Sequence, residues 1–114
     1  MIEIARRRSR RFENVEYSVG GAEKLPFPDA MFDRAWTIHS FHHWEDQRLG
    51  ILESLRVLRP AGQLLIVENE TNGAHGLDRE RAAAVAVKLE TLGFADARVS
   101  KPHKHLVIIG TRSD

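Results

Sequence analysis

The sequence predicts an α/β fold in one domain, residues 1–114, with about five strands and three helices and with the last two strands antiparallel. Two features of the pattern predict this class. Short runs of apolar and β-branched residues alternate with longer segments in which apolar residues recur at the helical period. Glycine- and proline-rich turns separate most of these segments. The length of 114 residues, without an internal repeat, suits one hydrophobic core.

The composition excludes several classes of protein. The absence of cysteine excludes a disulfide framework, a thiolate metal site and a cysteine nucleophile. The longest uninterrupted apolar run, Ala82 to Val87, is far shorter than the roughly 20 residues that span a bilayer, so no membrane partner is expected. The N-terminal segment MIEIARRRSRRF lacks the apolar stretch of a secretory signal, and we expect a cytoplasmic chain.

The N-terminal third predicts a helix, a strand and a loop. MIEIARRR places its apolar residues on one helical face and its arginines on the other, although no capping residue precedes it. VEYSV alternates apolar and polar residues, which predicts a strand at about 14–19. The glycines and prolines that follow predict a loop at about 20–31.

The middle of the chain predicts a strand, a helix and a further strand. DRAWTIH is short and rich in strand formers, which predicts a buried strand at 33–39. A histidine-rich turn and a helix at about 45–59 follow, and a proline ends the helix. This helix is expected to bury Leu49, Leu52 and Leu55. QLLIVE then predicts a buried parallel strand at 63–68.

The C-terminal third predicts a helix and two strands. Asp78 is a suitable N-cap for a helix at about 79–92, and Gly93 lies where a C-terminal glycine cap is usual. The inward positions of this helix are predicted to be Ala82, Val85, Ala86, Leu89 and Leu92. FADARVS and KHLVIIGTR predict the closing antiparallel pair.

Two segments carry a resemblance to a known family. They are GGAEKLPFPDAMFDRAWTIHSFHHW and, one short helix later, ILESLRVLRPAGQLLIVE. The A-E-x-L-P-F-P-D loop, the F-D opening of a strand, the H-x-x-H-H-W turn and the R-V-L-R-P-x-G hinge occur in the same order. The chain thereby resembles the middle and later part of a class I S-adenosylmethionine-dependent methyltransferase. The resemblance implies a Rossmann-like sheet, S-adenosylmethionine as the cofactor and a small-molecule methyl acceptor.

The resemblance also implies that the first part of the family's sheet is absent. No G-x-G-x-x-G turn occurs in the sequence, and the chain resembles a member truncated before its first two strands. The isolated chain is therefore expected to bind the cofactor weakly and to be weak or inactive. The strands at 14–19 and 33–39 are expected to lack their usual neighbours. Repacking, partial disorder, or a homodimer through the exposed strand edges would each satisfy them.

The resemblance assigns two groups of residues to the cofactor. Gly21, Ala22 and Glu23 would line the adenine, and Thr37, Ile38 and His39 would flank the methionyl part. Relatives often carry an aspartate where this chain has Gly21. A plain surface turn is the alternative interpretation of the first group. The second group ends a strand, at the edge where ligands bind in open α/β sheets.

The histidine-rich turn supplies candidate proton acceptors. His42 and His43 are the candidate catalytic residues, because imidazole titrates near neutral pH and can take a proton from an oxygen or nitrogen acceptor. Packing or hydrogen bonding within the turn is the alternative. His39 and His43 are four residues apart and Glu45 is near, but the pair straddles a strand end and a turn, so no metal is expected.

Two functions from different classes remain open on the sequence. The first is a methyltransferase fragment. The alternative is a non-catalytic Rossmann-like binding or assembly module that dimerises or complements another chain. The five arginines within Arg6 to Arg11 are interpreted as a solvated helix face, and the formal charge of +1 argues against a nucleic-acid partner.

Overall fold

The part of the chain that the structure describes folds as a six-stranded mixed sheet with two α-helices. The computed structural model describes residues 2–8, 11–18, 24–39, 41–71, 77–101 and 105–113, with the first two ranges described as backbone only. The strands are β1 (Ile2–Arg8), β2 (Arg11–Ser18), β3 (Phe32–Ile38), β4 (Leu58–Asn69), β5 (Phe94–Ser100) and β6 (His105–Arg112). The helices are α1 (Gln47–Val57) and α2 (Arg79–Thr91), and a 3-10 turn spans Phe41–His43.

The sheet has the order β2-β1-β3-β4-β6-β5. β3 and β4 are parallel, with Thr37 opposite Ile66, and the other neighbouring pairs are antiparallel. α1 makes the crossover between the two parallel strands, as a parallel connection requires. The carboxyl ends of β3 and β4 therefore lie together at one edge of the sheet.

The predicted N-terminal helix is wrong, because Ile2–Arg8 forms β1. β1 runs antiparallel to β3, with Ile4 opposite Ala35, and its other side pairs with β2. A seven-residue segment without an N-cap is a poor isolated helix, whereas an extended segment satisfies the backbone groups along β3. The predicted five strands and three helices are corrected to six strands and two α-helices within the described ranges.

The N-terminal hairpin also changes the expected environment of the strand at 33–39. That segment corresponds to β3, which has β1 on one side and β4 on the other, so it is an interior strand. Among the three outcomes expected from the sequence, repacking describes the backbone that is observed. The edge strands of the sheet are β2 and β5.

Both helices pack on one face of the sheet and share a single core with it. Inward residues of β3, β4 and β6 meet the helices in one cluster. The fully buried members include Ala35, Ile51, Val57, Leu64, Ile66, Ala82, Leu89, Leu106 and Ile108. Ala82, Val85, Ala86 and Leu89 of α2 are buried as predicted, whereas Leu92 is half-buried.

The predicted apolar face of α1 is wrong by about half a turn. Leu49 is 43% exposed, and Leu52 and Leu55 are only half-buried. α1 instead buries Ile51 and Val57. The leucine spacing resembles a helical stripe, but Gly50, a residue without a side chain, is the buried position that lets Trp44 pack close to the helix.

The ends of α2 follow the predicted capping chemistry, and the structure adds an N-cap for α1. Asp78 accepts a hydrogen bond from the Arg81 backbone amide at 2.7 Å and caps α2. Asp46 caps α1 through the Leu49 amide at 3.0 Å. Gly93 follows α2 with φ of +122°, a conformation that L-residues rarely adopt. No helix within the described ranges has the length and apolar character needed to cross a bilayer.

Candidate functional site

The carboxyl edge of the parallel pair forms the candidate site. β3 ends at Ile38, whose side chain is 50% exposed, and His39 follows it, exposed and with φ of +55°. The His39 amide donates to the Val67 carbonyl of β4 at 2.8 Å, so the two strand ends stay joined where the chain turns away. The edge thus presents one apolar side chain and one imidazole to a ligand.

A buried carboxylate holds the turn that follows β3. Glu68, on β4, is fully buried and accepts a hydrogen bond from the His42 backbone amide at 3.1 Å. Both of its carboxylate oxygens also lie 3.0 Å from His42 Nδ1. Nδ1 is thus the ring nitrogen that the carboxylate contacts, and Nε2 is on the far side of the ring. Glu68 therefore fixes both the backbone and the ring of His42.

Aromatic packing against α1 also fixes the turn that follows β3. Phe41 is fully buried and Trp44 is 9% exposed, and their ring centroids lie 4.9 Å apart. A Cβ atom at Gly50 of α1 would lie 2.4 Å from Trp44 Cε3. The turn is therefore held by an apolar contact to α1 and by a polar contact to β4.

Two imidazoles, one just after β3 and one at the start of β6, lie close together at the edge. The ring centroids of His39 and His105 lie 5.4 Å apart, and His105 begins β6 opposite Asn69 of β4. Within the part of the chain that the structure describes, no group of three or more histidine or acidic side chains is arranged to hold a metal ion. The group of His39, His43 and Glu45 is not tested, because the His43 side chain lies outside the described residues.

The loop before β3 is held by α1. Arg56 donates to the Phe27 carbonyl at 2.8 Å and to the Leu25 carbonyl at 3.0 Å. Glu53 accepts from the Leu25 amide at 2.9 Å and from Arg56 Nε at 2.7 Å. Asp29 at the end of the loop binds Arg56 Nη1 at 2.7 Å. Two side chains on neighbouring turns of α1 thus fix the LPFPD segment.

These contacts alter the acid–base properties of the pair. The hydrogen bond from Arg56 lowers the pKa of Glu53, and the Leu25 amide acts in the same direction. Glu53 and Asp29 in turn raise the pKa of Arg56. The loop is therefore tied to α1 by charge-assisted hydrogen bonds, which are the stronger class.

The predicted site residues differ in how far their side chains are exposed. Ile38 and His39 are exposed at the edge, whereas the Thr37 side chain is 1% exposed and faces the core. His42 is 11% exposed, and its Nε2 atom is enclosed by protein. His43 belongs to the 3-10 turn, but its side chain lies outside the described residues.

The predicted adenine-lining group is not tested by the structure. Gly21, Ala22 and Glu23 lie outside the described residues. The described chain resumes at Lys24, directly before the LPFPD segment that α1 holds in place. Their assignment to the cofactor stays a prediction.

Sequence reasoning missed Glu68, which holds the turn after β3, and Arg56, which holds the loop before β3. The signal for Glu68 was present: Leu64 and Ile66 point into the core, and a strand period of two places residue 68 on the same buried face. A carboxylate there needs a partner. Arg56 had no comparable signal, because an arginine in the last turn of a helix is usually an exposed end residue.

Comparison with known proteins places the chain in a family. Residues 1–66 match the family model described as a methyltransferase domain. The methyltransferase GfsG of Streptomyces halstedii is 32% identical over 108 residues, covering 92% of this chain and 36% of GfsG. Four curated relatives are matched over 20 to 36% of their own lengths, so the matched part of the chain spans between a fifth and a little over a third of such proteins.

Solved structures show the same fold. A SAM-dependent methyltransferase from Aquifex aeolicus superposes with a TM-score of 0.68 at 24% identity, over 88% of this chain and 56% of that one. The 1,6-didemethyltoxoflavin-N1-methyltransferase of Burkholderia thailandensis superposes with a TM-score of 0.58 at 20% identity, over 82% and 48%.

The matched family segment includes β3, the histidine-rich turn and most of β4, which are the elements that build the edge described above. The α/β architecture predicted from the sequence is confirmed at this level, and S-adenosylmethionine is the cofactor of the family. The chain therefore belongs to the class I S-adenosylmethionine-dependent methyltransferase family.

Proposed function

We propose that this chain forms part of a methyl-transfer site in which S-adenosylmethionine lies along the carboxyl edge of β3 and β4 and a small molecule accepts the methyl group. The observation that supports this best is the exposure of Ile38 and His39 at that edge, directly before a turn locked by Glu68. Ligands of open α/β sheets bind outside the carboxyl ends of the strands.

The proposed cofactor contacts divide between two segments. Gly21, Ala22 and Glu23 would line the adenine, with the backbone of Ala22 as a hydrogen-bonding partner. In the segment from Thr37 to His39, only the backbone of Thr37 is suited to face a ligand, because its side chain is buried. The Ile38 side chain supplies an apolar wall and His39 a polar one.

The chemistry asks little of the protein beyond alignment and proton removal. The cofactor, when bound, supplies a methyl group already activated by its sulfonium. His42 and His43 are the proposed proton acceptors. For His42 the acceptor atom would be Nε2, since Nδ1 is hydrogen-bonded to Glu68. Because Nε2 is enclosed, a substrate would reach it only after the 3-10 turn opens.

A small-molecule acceptor is supported by the neighbouring structures. The Burkholderia thailandensis enzyme was solved with 1,6-didemethyltoxoflavin and S-adenosylhomocysteine bound. That protein shares the fold of this chain at 20% identity. For this chain we therefore propose a small molecule as the methyl acceptor.

Weak cofactor binding is part of the proposal. The sequence contains no G-x-G-x-x-G turn, which in nucleotide-binding α/β folds lets the backbone approach the ligand closely. The remaining edge would supply only a fraction of the usual contacts. Isothermal titration of the chain with S-adenosylmethionine should give a dissociation constant in the millimolar range. Micromolar binding would contradict this part of the proposal.

Two variants test whether S-adenosylmethionine binds at the carboxyl edge of β3 and β4. His39→Asn removes the imidazole but keeps a residue that tolerates positive φ, and it should weaken binding several-fold. Val87→Ala changes a side chain that is 63% exposed on α2, and it should leave the titration unchanged. Equal effects of the two substitutions would argue against a ligand at the carboxyl edge.

One observation supports the alternative function, a non-catalytic binding or assembly module. On the side of β3, β4 and β6 that faces away from the core, apolar side chains are exposed or half-buried, and within the described residues neither helix covers them. That face does not depend on methyl transfer.

A further inference from the structure

His105 lies at the carboxyl edge of the sheet and has no role in the function proposed above. It begins β6 opposite Asn69 of β4, and its side chain is half-buried. β3 and β6 are the two neighbours of β4, so their backbones are about 10 Å apart. The ring centroids of His39 and His105 are only 5.4 Å apart. The two imidazoles therefore converge over the end of β4.

The ring nitrogens of this pair are available to a ligand. Among the described residues, neither imidazole has a hydrogen-bonding or ion-pair partner, and the two rings contact each other. His42 differs, because Glu68 contacts its Nδ1 and its Nε2 is enclosed by protein. A neutral imidazole accepts a hydrogen bond or a proton through one ring nitrogen. The pair at the edge is thus more accessible than His42 to the proton of a methyl acceptor.

The side chains next to His105 suit an acidic hydroxyl group on an apolar molecule. Asn69, its direct cross-strand partner, is exposed on the same face, and an amide NH2 group donates hydrogen bonds to oxygen. The next pair along this face of β4 and β6, Val67 and Val107, is apolar and half-buried. The edge therefore offers a proton acceptor, a hydrogen-bond donor and an apolar surface side by side.

The charges near the end of β4 argue against a cationic acceptor. Glu68 is buried and hydrogen-bonded to His42. Glu70 binds Arg79 Nε at 3.0 Å through one oxygen and Lys101 through the other. These carboxylates are therefore already paired and do not attract an amine that is protonated near neutral pH. An acidic hydroxyl group needs only a proton acceptor and a hydrogen-bond donor.

We propose that His105 binds the hydroxyl group of the methyl acceptor and takes its proton, and that the acceptor is a phenol or an enol. The inference rests on the proposed function, in which His39 borders the methionyl part of the cofactor. The reacting oxygen must lie about 3–3.5 Å from the methyl carbon. His105 is the next polar side chain beyond His39 along this edge, and it acts while the 3-10 turn that encloses His42 stays closed.

The transfer is balanced without a further reactant. The hydroxyl proton moves to an unprotonated ring nitrogen of His105, and an electron pair of the oxygen forms the new bond to the methyl carbon. The bond between that carbon and sulfur breaks, its electron pair stays on sulfur, and S-adenosylhomocysteine results. Asn69 donates a hydrogen bond to the oxygen as its negative charge develops.

A titration of the isotope-labelled chain with 4-nitrophenol, followed through its imidazole resonances, tests the proposal. The control ligand is 4-nitroanisole, which has the same ring with a methyl ether in place of the hydroxyl group. 4-Nitrophenol should shift the His105 and His39 ring resonances. 4-Nitroanisole should bind at least about fivefold more weakly, the factor that one net hydrogen bond is worth. The titration contains no cofactor, so its result does not depend on S-adenosylmethionine binding.

Two variants assign the effect to His105. His105→Phe keeps a ring beside His39 but removes both nitrogens, and it should raise the dissociation constant for 4-nitrophenol at least about fivefold. The resonance that disappears in this variant identifies the His105 ring. The control, Thr111→Val, removes a polar atom at the opposite end of β6 and should leave the constant unchanged. Circular dichroism checks that each variant remains folded.

The comparison of ligands on the unmodified chain keeps the test valid if His105→Phe does not fold. Binding of 4-nitroanisole or of protonated 4-nitrobenzylamine as tight as that of 4-nitrophenol would overturn the inference. Shifts of the His42 ring in place of the His105 ring, or equal effects of His105→Phe and Thr111→Val, would also overturn it. Shifts caused by S-adenosylhomocysteine at Ile38 would still support the cofactor site in those cases, so the two proposals fail separately.

Discussion

The contact between Glu68 and His42 shows how one buried side chain can fix the turn at a strand end. Glu68 is fully buried, and its carboxylate is hydrogen-bonded to both the backbone and the ring of His42. A buried carboxylate without such partners is unfavourable by several kcal/mol. The hydrogen bonds between Glu68 and His42 therefore fix the position of the turn, together with the packing of Phe41.

The first prediction concerns this carboxylate. Glu68→Ala leaves the buried His42 amide and Nδ1 without their acceptor, and should lower the free energy of unfolding by about 1–3 kcal/mol. Urea denaturation measures the change. Glu90→Ala, at an exposed position of α2, is the control and should stay within about 0.5 kcal/mol. A Glu68→Ala effect as small as that of the control would show that the contact does not hold the turn.

The second prediction concerns the pH dependence contributed by Glu53. Its pKa is lowered in the folded chain by the Arg56 hydrogen bond, so the unfolded chain binds more protons in this range. The stabilisation is present above the unfolded-state value of about 4.3 and is lost as the pH falls through the lower folded-state pKa. Glu53→Gln should make stability less dependent on pH in that acidic window. Urea midpoints measured across it check this, and parallel curves for the two chains would contradict it.

Single residues were predictable from the sequence where local chemistry decided their role. Asp78 was identified as an N-cap because its side chain serves amides next to it in the chain. Arg56 was not identified, because its partners lie 27 to 31 residues away, at Asp29, Phe27 and Leu25. A contact of that separation exists only once the fold brings the two segments together.

Elements were predictable where length and periodicity agreed with the tertiary environment. α2 was located to within a residue at each end because its inward residues keep the helical spacing and both ends carry capping residues. β1 was mistaken for a helix because its alternation is weak and its pairing with β3 is a long-range property. The position of α1 was predicted, but its buried face was not. Gly50 is buried on that face because the Trp44 ring packs against it, and a glycine adds no apolar side chain to the pattern.

The third prediction follows from that contact. Replacing glycine by alanine inside a helix usually stabilises by up to about 1 kcal/mol. At Gly50 the added Cβ would meet the Trp44 ring at 2.4 Å, so Gly50→Ala should instead destabilise by about 1–3 kcal/mol. Thermal unfolding measures the sign, and a shift in tryptophan emission reports movement of Trp44. A stabilised variant would show that the close packing of Trp44 on α1 is not required.

At the scale of the molecule, the sequence predicted the fold class and the family, and it missed how the sheet is completed. The order β3-β4-β6-β5 places the parallel pair next to the antiparallel strands predicted at the C-terminus. The N-terminal hairpin then supplies the remaining neighbour of β3. The expectation that the strand at 33–39 lacks a neighbour is thus wrong, because the pairing of β1 with β3 joins segments about 30 residues apart and leaves no local pattern in the sequence.

The central claim is that the carboxyl edge of β3 and β4 is where this chain contacts the cofactor of its family. The most direct test is a titration of the isotope-labelled chain with S-adenosylhomocysteine, followed through its backbone amide resonances. We expect the backbone amide resonances of Ile38, His39 and the segment 21–23 to shift with ligand concentration, and those of α2 near Val87 to stay unchanged. Shifts confined to α2, or none at millimolar ligand, would contradict it.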